Sequence, residues 1–214
     1  MLELGVKTLL AYLVGSLLGS LILGRLRGVD IRALGSGNAG ATNALRTQGK
    51  VFGLAVLLID MAKGLIVVRW LPEAALPWSQ PDPGLSRIWL QLGCALAVIL
   101  GHVYPVWFGF RGGKGAATVV GVVAALDARL LVPLILGWFL VLVLTGYVGL
   151  ATMLAGVVLV VAVHYLDPGN LPLLGFCAAI AAFGMYTHRS NIARMMAGRE
   201  NRVRRIWLFR PRAT

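Results

Sequence analysis

A chain of 214 residues that is 58% hydrophobic and only 13% charged lies outside the soluble globular range, where roughly a quarter of residues carry charge. It reads as an all-α integral membrane protein with several spans. Its formal net charge of +12 does not indicate nucleic-acid binding, because the cations lie in loops and a C-terminal tail, not along one amphipathic face. Cys94 and Cys177 sit singly in apolar runs, without CxxC or His-rich spacing, so neither a disulfide framework nor a metal site is expected.

In chain order, a first apolar run from Leu4 to Leu23 is long enough to span and lacks a signal-peptide cleavage site. A polar loop, 25–50, follows, with Arg25, Arg27, Arg32, Arg46 and Lys50 against one acid, Asp30. A second span covers about Val51 to Leu71. After a connection containing Pro72, Pro77, Pro81 and Pro83, a third starts near Ile88 and leads through Gly101-His102-Val103-Tyr104-Pro105 into a glycine loop. Turn signals at Asp127–Arg129, Thr145–Tyr147 and Asp167–Asn170 divide the 72 residues 116–187 into four segments that average 18 residues, at the short end for spanning helices. The first of them, Ala116 to Leu126, is too short to span without borrowing neighbours. Seven spans result. Loop 25–50, the glycine loop and the tail after Thr187 then share one face, which carries 15 of the 20 Lys and Arg residues. The positive-inside bias makes that face cytoplasmic and the N-terminus external.

Three polar stretches on that face could carry chemistry. Gly35-Ser36-Gly37-Asn38-Ala39-Gly40-Ala41-Thr42-Asn43 contains GxGxxG, but it follows a membrane span and not a β-strand, so a dinucleotide fold is rejected. What remains is a flexible loop offering Ser36, Thr42, Asn38 and Asn43 to a polyol phosphate, with Arg46 able to grip phosphate oxygens bidentately. The other reading is a glycine-rich turn capped by Ser and Asn. In Phe110-Arg111-Gly112-Gly113-Lys114-Gly115-Ala116-Ala117-Thr118, glycines can turn N–H groups toward an anion and Lys114 adds a full charge. A nucleotide P-loop is excluded, because position 108 is Phe and Gly115 follows Lys114 where Ser or Thr is needed. A basic loop that only respects topology is the alternative. In Thr187-His188-Arg189-Ser190-Asn191-Ile192-Ala193-Arg194, helical spacing puts His188, Asn191 and, less closely, Arg194 on one face. Such a face could bind an oxyanion or position a hydroxyl for proton loss. Arg202, Arg204, Arg205, Arg210 and Arg212 read as a tail drawn to anionic lipid. Inside the second span Asp60 and Lys63 are expected to pair, and His102 to organise the loop after it.

Taken together, GSGNAGATN (35–43), GHVYPVWFGFRGGKGAAT (101–118) and THRSNIARMMAGRE (187–200) resemble, in order and spacing, the bacterial acyl-phosphate-dependent glycerol-3-phosphate acyltransferase family, PlsY. The resemblance implies a seven-helix inner-membrane enzyme, one polytopic domain over 1–214, without metal, cofactor or nucleotide. It would transfer a fatty acyl group from acyl phosphate to the sn-1 hydroxyl of glycerol 3-phosphate. The products would be 1-acyl-sn-glycerol 3-phosphate (lysophosphatidic acid) and inorganic phosphate, the first step of phospholipid synthesis. By the same resemblance Ser36, Lys114, His188 and Asn191 would be catalytic. Substrate contacts would come from Gly37, Asn38, Gly40, Thr42, Asn43, Arg46, Arg111, Gly112, Gly113, Gly115, Thr118 and Arg194. Thr152 stands where the family has a hydroxyl near the fifth-to-sixth helix junction, and Gly149 where a Ser is common. The attacking hydroxyl's proton would go to a substrate phosphate oxygen or to His188.

Other classes fit less well. The acyl-CoA-type signature needs Asp five residues after His, and those positions hold Trp107, Gly169 and Ala193. A CDP-alcohol phosphotransferase needs an Asp cluster that eight acids across the chain do not supply. A small anion or phosphate transporter is the serious rival. It would need polar groups continuing through the spans, whereas these stop at one face apart from Asp60 and Lys63.

Overall fold

The structure, a computed structural model, describes residues 1–77, 81–203 and 207–209. Every regular element among them is helical: α1 (Leu2–Gly15), α2 (Gly19–Leu26), α3 (Ala41–Gln48), α4 (Lys50–Trp70), α5 (Arg87–Val103), α6 (Ala116–Leu126), α7 (Leu131–Thr145), α8 (Val148–Leu166), α9 (Leu171–Thr187) and α10 (Arg189–Met196). The chain forms two compact units, Met1–Ala128 and Arg129–Thr214.

Four stretches are long and apolar enough to cross a membrane: Lys50–Trp70, Arg87–Phe108, Ala128–Thr145 and Val148–Leu166. The bent pairs α1–α2 (45°) and α9–α10 (51°) raise the number to as many as six. At 1.5 Å per residue α4 is about 31 Å long, enough for the hydrocarbon core, whereas α6 reaches only about 16 Å. The breaks expected at Asp127–Arg129, Thr145–Tyr147 and Asp167–Asn170 coincide with helix ends. Asn170 accepts a hydrogen bond from the Leu173 N–H (3.1 Å) and so starts α9.

In the first unit α4 packs on α6, and α1 on α5. Small residues make both crossings close. A methyl on Gly121 would strike the Met61 carbonyl, and one on Gly64 the Thr118 carbonyl; Gly15 and Gly101 play the same part between α1 and α5. Charges inside this unit are paired. Glu3, almost fully buried, accepts from Lys7 (2.9 Å) and Arg87 (2.7 Å).

The run from Leu4 to Leu23 is not one helix, as its apolar composition suggests, but breaks at Ser16–Leu18. The break is tolerated because its backbone groups find partners. Lys63 Nζ donates to the Gly15 and Leu17 carbonyls (2.9 and 3.0 Å), and the Gly19 N–H donates to Asp60 Oδ1 (3.2 Å). Asp60 and Lys63 also pair with each other, as expected, at 3.0 Å.

In the second unit α8 packs between α7 and α9, and α10 rests on α8 and α9. Arg202, of the basic tail, is exposed. Its guanidinium stacks on Tyr147 (4.4 Å) and Trp207 (4.1 Å), and the Trp207 indole donates to the Leu144 carbonyl. Arg204, Arg205, Arg210 and Arg212 lie outside the described residues.

Candidate active site

The first motif loop is held from within by Asn43. Its Oδ1 accepts the Ser36 N–H (2.9 Å), while Nδ2 is shared among the carbonyls of Ile31 (3.1 Å), Leu34 (2.9 Å) and Asn38 (3.0 Å). Gly35 adopts φ 57°, and its missing Cβ leaves the space that Asn43 Oδ1 fills. Asn43 therefore shapes the loop that presents Ser36, Gly37, Asn38, Gly40 and Thr42. Arg46 is exposed on the last turn of α3. Asn43→Ala would take the partner from the half-buried Ser36 N–H and from the carbonyls of Ile31, Leu34 and Asn38, at about 1–3 kcal/mol for each buried group. We expect thermal unfolding in detergent to show a loss of roughly 3 kcal/mol; an unshifted transition would mean that Asn43 does not hold the loop.

Arg32 ties this loop to the glycine loop. Asp30 grips its guanidinium (2.8 Å), and Arg32 donates to the carbonyls of Phe108 (2.9 Å) and Arg111 (3.2 Å). The hydrogen bond from Arg32 holds the Asp30 carboxyl below the usual carboxylate range, and Asp30 raises Arg32 in turn.

In the glycine loop the first two glycines turn their N–H groups inward. Gly112 donates to the Val103 carbonyl and Gly113 to that of His102, both at 3.1 Å. They are glycines because a Cβ would collide, at Gly112 with the His102 carbonyl and at Gly113 with the His102 ring. Gly115 turns at φ 86° to open α6, and the first helical bond there runs from Val119 N–H to its carbonyl (2.8 Å). The first-turn N–H groups of α6 thus lack intrahelical acceptors, and half-buried Lys114 stands beside this helix start, a combination chemically suited to an anion. Thr118 Oγ1 is buried with no hydrogen-bond partner among the described residues.

The second unit contributes another cluster. His188 caps α10, and its Nδ1 lies 2.8 Å from the Gly184 carbonyl. A carbonyl can only accept, so Nδ1 carries a proton and Nε2 is the ring nitrogen turned away from this bond. Asn191 Nδ2 donates to Glu200 Oε1 (3.0 Å), and Arg194 Nε to Glu200 Oε2 (2.6 Å). Glu200 thereby aligns two motif residues. Sequence reasoning did not assign it a role, and the available signal was a lone acid in an arginine-rich segment. Gly149 leaves the space that the Asn191 amide occupies, since a Cβ there would come within 2.7 Å of Nδ2. The Thr152 hydroxyl donates to the Val148 carbonyl (2.9 Å) and accepts from the Trp138 indole (3.2 Å).

The described residues form an all-helical chain with apolar helices long enough to cross a membrane, and its similarities point to one class of membrane enzyme. Residues 6–198 match the family profile described as glycerol-3-phosphate acyltransferase. The glycerol-3-phosphate acyltransferase of Chlorobaculum parvum is 39% identical over 218 residues, covering 90% of this chain and 93% of the relative. That of Thermosynechococcus vestitus is 39% identical over 204 residues, covering 94% and 95%. The crystal structure of PlsY (YgiH), an integral membrane glycerol 3-phosphate acyltransferase, matches in its glycerol 3-phosphate form with a TM-score of 0.80 at 34% identity, covering 93% of this chain and 94% of that one. Its lysophosphatidic acid form matches with a TM-score of 0.78. The chain belongs to the glycerol-3-phosphate acyltransferase family and is an acyltransferase.

Proposed function

We propose that this chain transfers a fatty acyl group from acyl phosphate to the sn-1 hydroxyl of glycerol 3-phosphate, releasing inorganic phosphate and 1-acyl-sn-glycerol 3-phosphate as the first step of phospholipid synthesis. The observation that carries the reading is the α6 start, where Lys114 and first-turn N–H groups without intrahelical acceptors follow a glycine loop that is not a nucleotide P-loop. The related structures, solved in a glycerol 3-phosphate form and a lysophosphatidic acid form, support the acceptor and the product.

Acyl phosphate is a mixed anhydride with a good leaving group, so the protein's task is positioning and charge compensation, without a covalent acyl-enzyme. The acceptor oxygen attacks the acyl carbon, the bond from that carbon to the phosphate oxygen breaks, and the hydroxyl proton ends on the departing phosphate. Arg111, Lys114, Gly115 and the α6 N-terminus hold the donor phosphate, with Gly112, Gly113 and Thr118 as its supports. Ser36 and Arg46, with Gly37, Asn38, Gly40 and Thr42, act on the polar substrate groups. His188 Nε2 and Asn191 orient glycerol 3-phosphate, and Arg194 and Thr152 complete the set.

The reading includes a single polytopic domain with seven spans: the four long helices, the two bent pairs and α6. The N-terminus is external, and the motif loops face the cytoplasm of a bacterial inner membrane. Two measurements test the chemistry. The lipid formed from palmitoyl phosphate and sn-glycerol 3-phosphate in EDTA is expected to be the 1-acyl isomer; the 2-acyl isomer, or loss of turnover in EDTA, would contradict it. His188→Ala is expected to raise the KM for glycerol 3-phosphate and lower kcat by about 10²-fold, and unchanged kinetics would make His188 structural.

A further inference from the structure

Asp60, Lys63 and His102 form a cluster inside the first unit that the acyl-transfer chemistry leaves unused. The three are 0%, 7% and 2% exposed. Lys63 Nζ lies 3.0 Å from both Asp60 Oδ1 and His102 Nδ1. An ammonium can only donate, so Nδ1 is the acceptor and the imidazole proton sits on Nε2. The longer 3.5 Å approach of Nδ1 to Asp60 Oδ1 is not a competing hydrogen bond.

A plain ion pair would need only the Asp and the Lys. Here the cluster reaches further in two directions. Lys63 and Asp60 hold the backbone of the α1–α2 break at Gly15, Leu17 and Gly19. His102 carries the glycine loop. Its carbonyl takes the Gly113 N–H, and Nε2 is the atom nearest to where a Gly113 Cβ would stand. The ring is thus the floor on which Gly113 rests, one residue before Lys114 and two before the turn into α6.

We propose that His102, fixed by Lys63 and Asp60, is a positioning residue for the glycine loop: it sets the height of Gly113 and so aims Lys114 and the α6 start at the donor phosphate. The functional half of this rests on the reading of the loop as the acyl-phosphate site. The geometric half does not.

The test uses the full-length protein in detergent, comparing wild type with His102→Ala, His102→Gln, Gly113→Ala and the double variant Gly113→Ala/His102→Ala. In His102→Ala the KM for palmitoyl phosphate is expected to rise about tenfold while that for glycerol 3-phosphate stays within about twofold. His102→Gln, which refills part of the space, should fall between. Gly113→Ala should lose most activity, and adding His102→Ala, which vacates the colliding ring, should restore part of it, a coupling that only direct contact produces. Hydrogen exchange over 103–115 should quicken in His102→Ala and stay unchanged over 148–166. Unchanged exchange over 103–115, equal KM rises for both substrates, or no recovery in the double variant would overturn the proposal. A wild-type protein that releases no phosphate from palmitoyl phosphate would sink the donor reading instead, and exchange with the double-variant stability would then decide the positioning role alone.

Discussion

Lys114→Ala should abolish turnover almost completely while the protein stays folded in the membrane. In the proposed reaction, negative charge gathers on the departing phosphate, and Lys114 is the full charge beside the α6 start. Removing one preorganised donor to a developing anion typically costs about 10²–10³ in kcat. Backbone bonds hold the chain on both sides of Lys114: Gly112 and Gly113 donate to Val103 and His102, and the α6 start is closed by the bond from Val119 to Gly115. Unfolding temperature should therefore shift little. Steady-state phosphate release combined with thermal unfolding separates the outcomes, and near-normal turnover would remove Lys114 from the site.

Lys63→Ala is expected to do the reverse, striking the fold first. It would strip the buried Asp60 carboxylate of its countercharge and take the donor from the Gly15 and Leu17 carbonyls. Breaking a buried pair from one side costs about 3–5 kcal/mol. We expect a large fall in unfolding temperature in detergent, partly recovered when Asp60→Asn is added and the orphaned charge disappears. If Lys63→Ala unfolded at the wild-type temperature, the α1–α2 break would be held by something other than this pair.

Much of the layout was legible in the sequence because membrane burial writes itself in composition. Apolar runs interrupted by Asp127–Arg129, Thr145–Tyr147 and Asp167–Asn170 end where the helices end. The three polar blocks were legible as site candidates because glycines, hydroxyls and cations are out of place in so apolar a chain. What escaped depends on partners far away along the chain. The break at Ser16–Leu18 lies in an apolar run and is made tolerable by Lys63, 46 residues from Leu17. The inward turn of the Gly112 and Gly113 N–H groups is set by carbonyls at the end of α5, so these two donors are committed inside the protein, and the proposed phosphate contact falls to the α6 start. Asn43 could equally have pointed out of its loop; only the folded loop shows its amide committed inside. Glu200 became visible only once Asn191 and Arg194 were seen to converge on one carboxylate.

A phosphate bound at the α6 start is expected to be that of the acyl donor. The direct measurement is inorganic phosphate release by purified protein with glycerol 3-phosphate, comparing palmitoyl phosphate with palmitoyl-CoA as donor in the absence of metal and nucleotide. The account predicts acceptor-dependent phosphate release and lysophosphatidic acid formation with palmitoyl phosphate, and neither with the thioester. Lysophosphatidic acid formed only from palmitoyl-CoA, with palmitoyl phosphate inert, would contradict it.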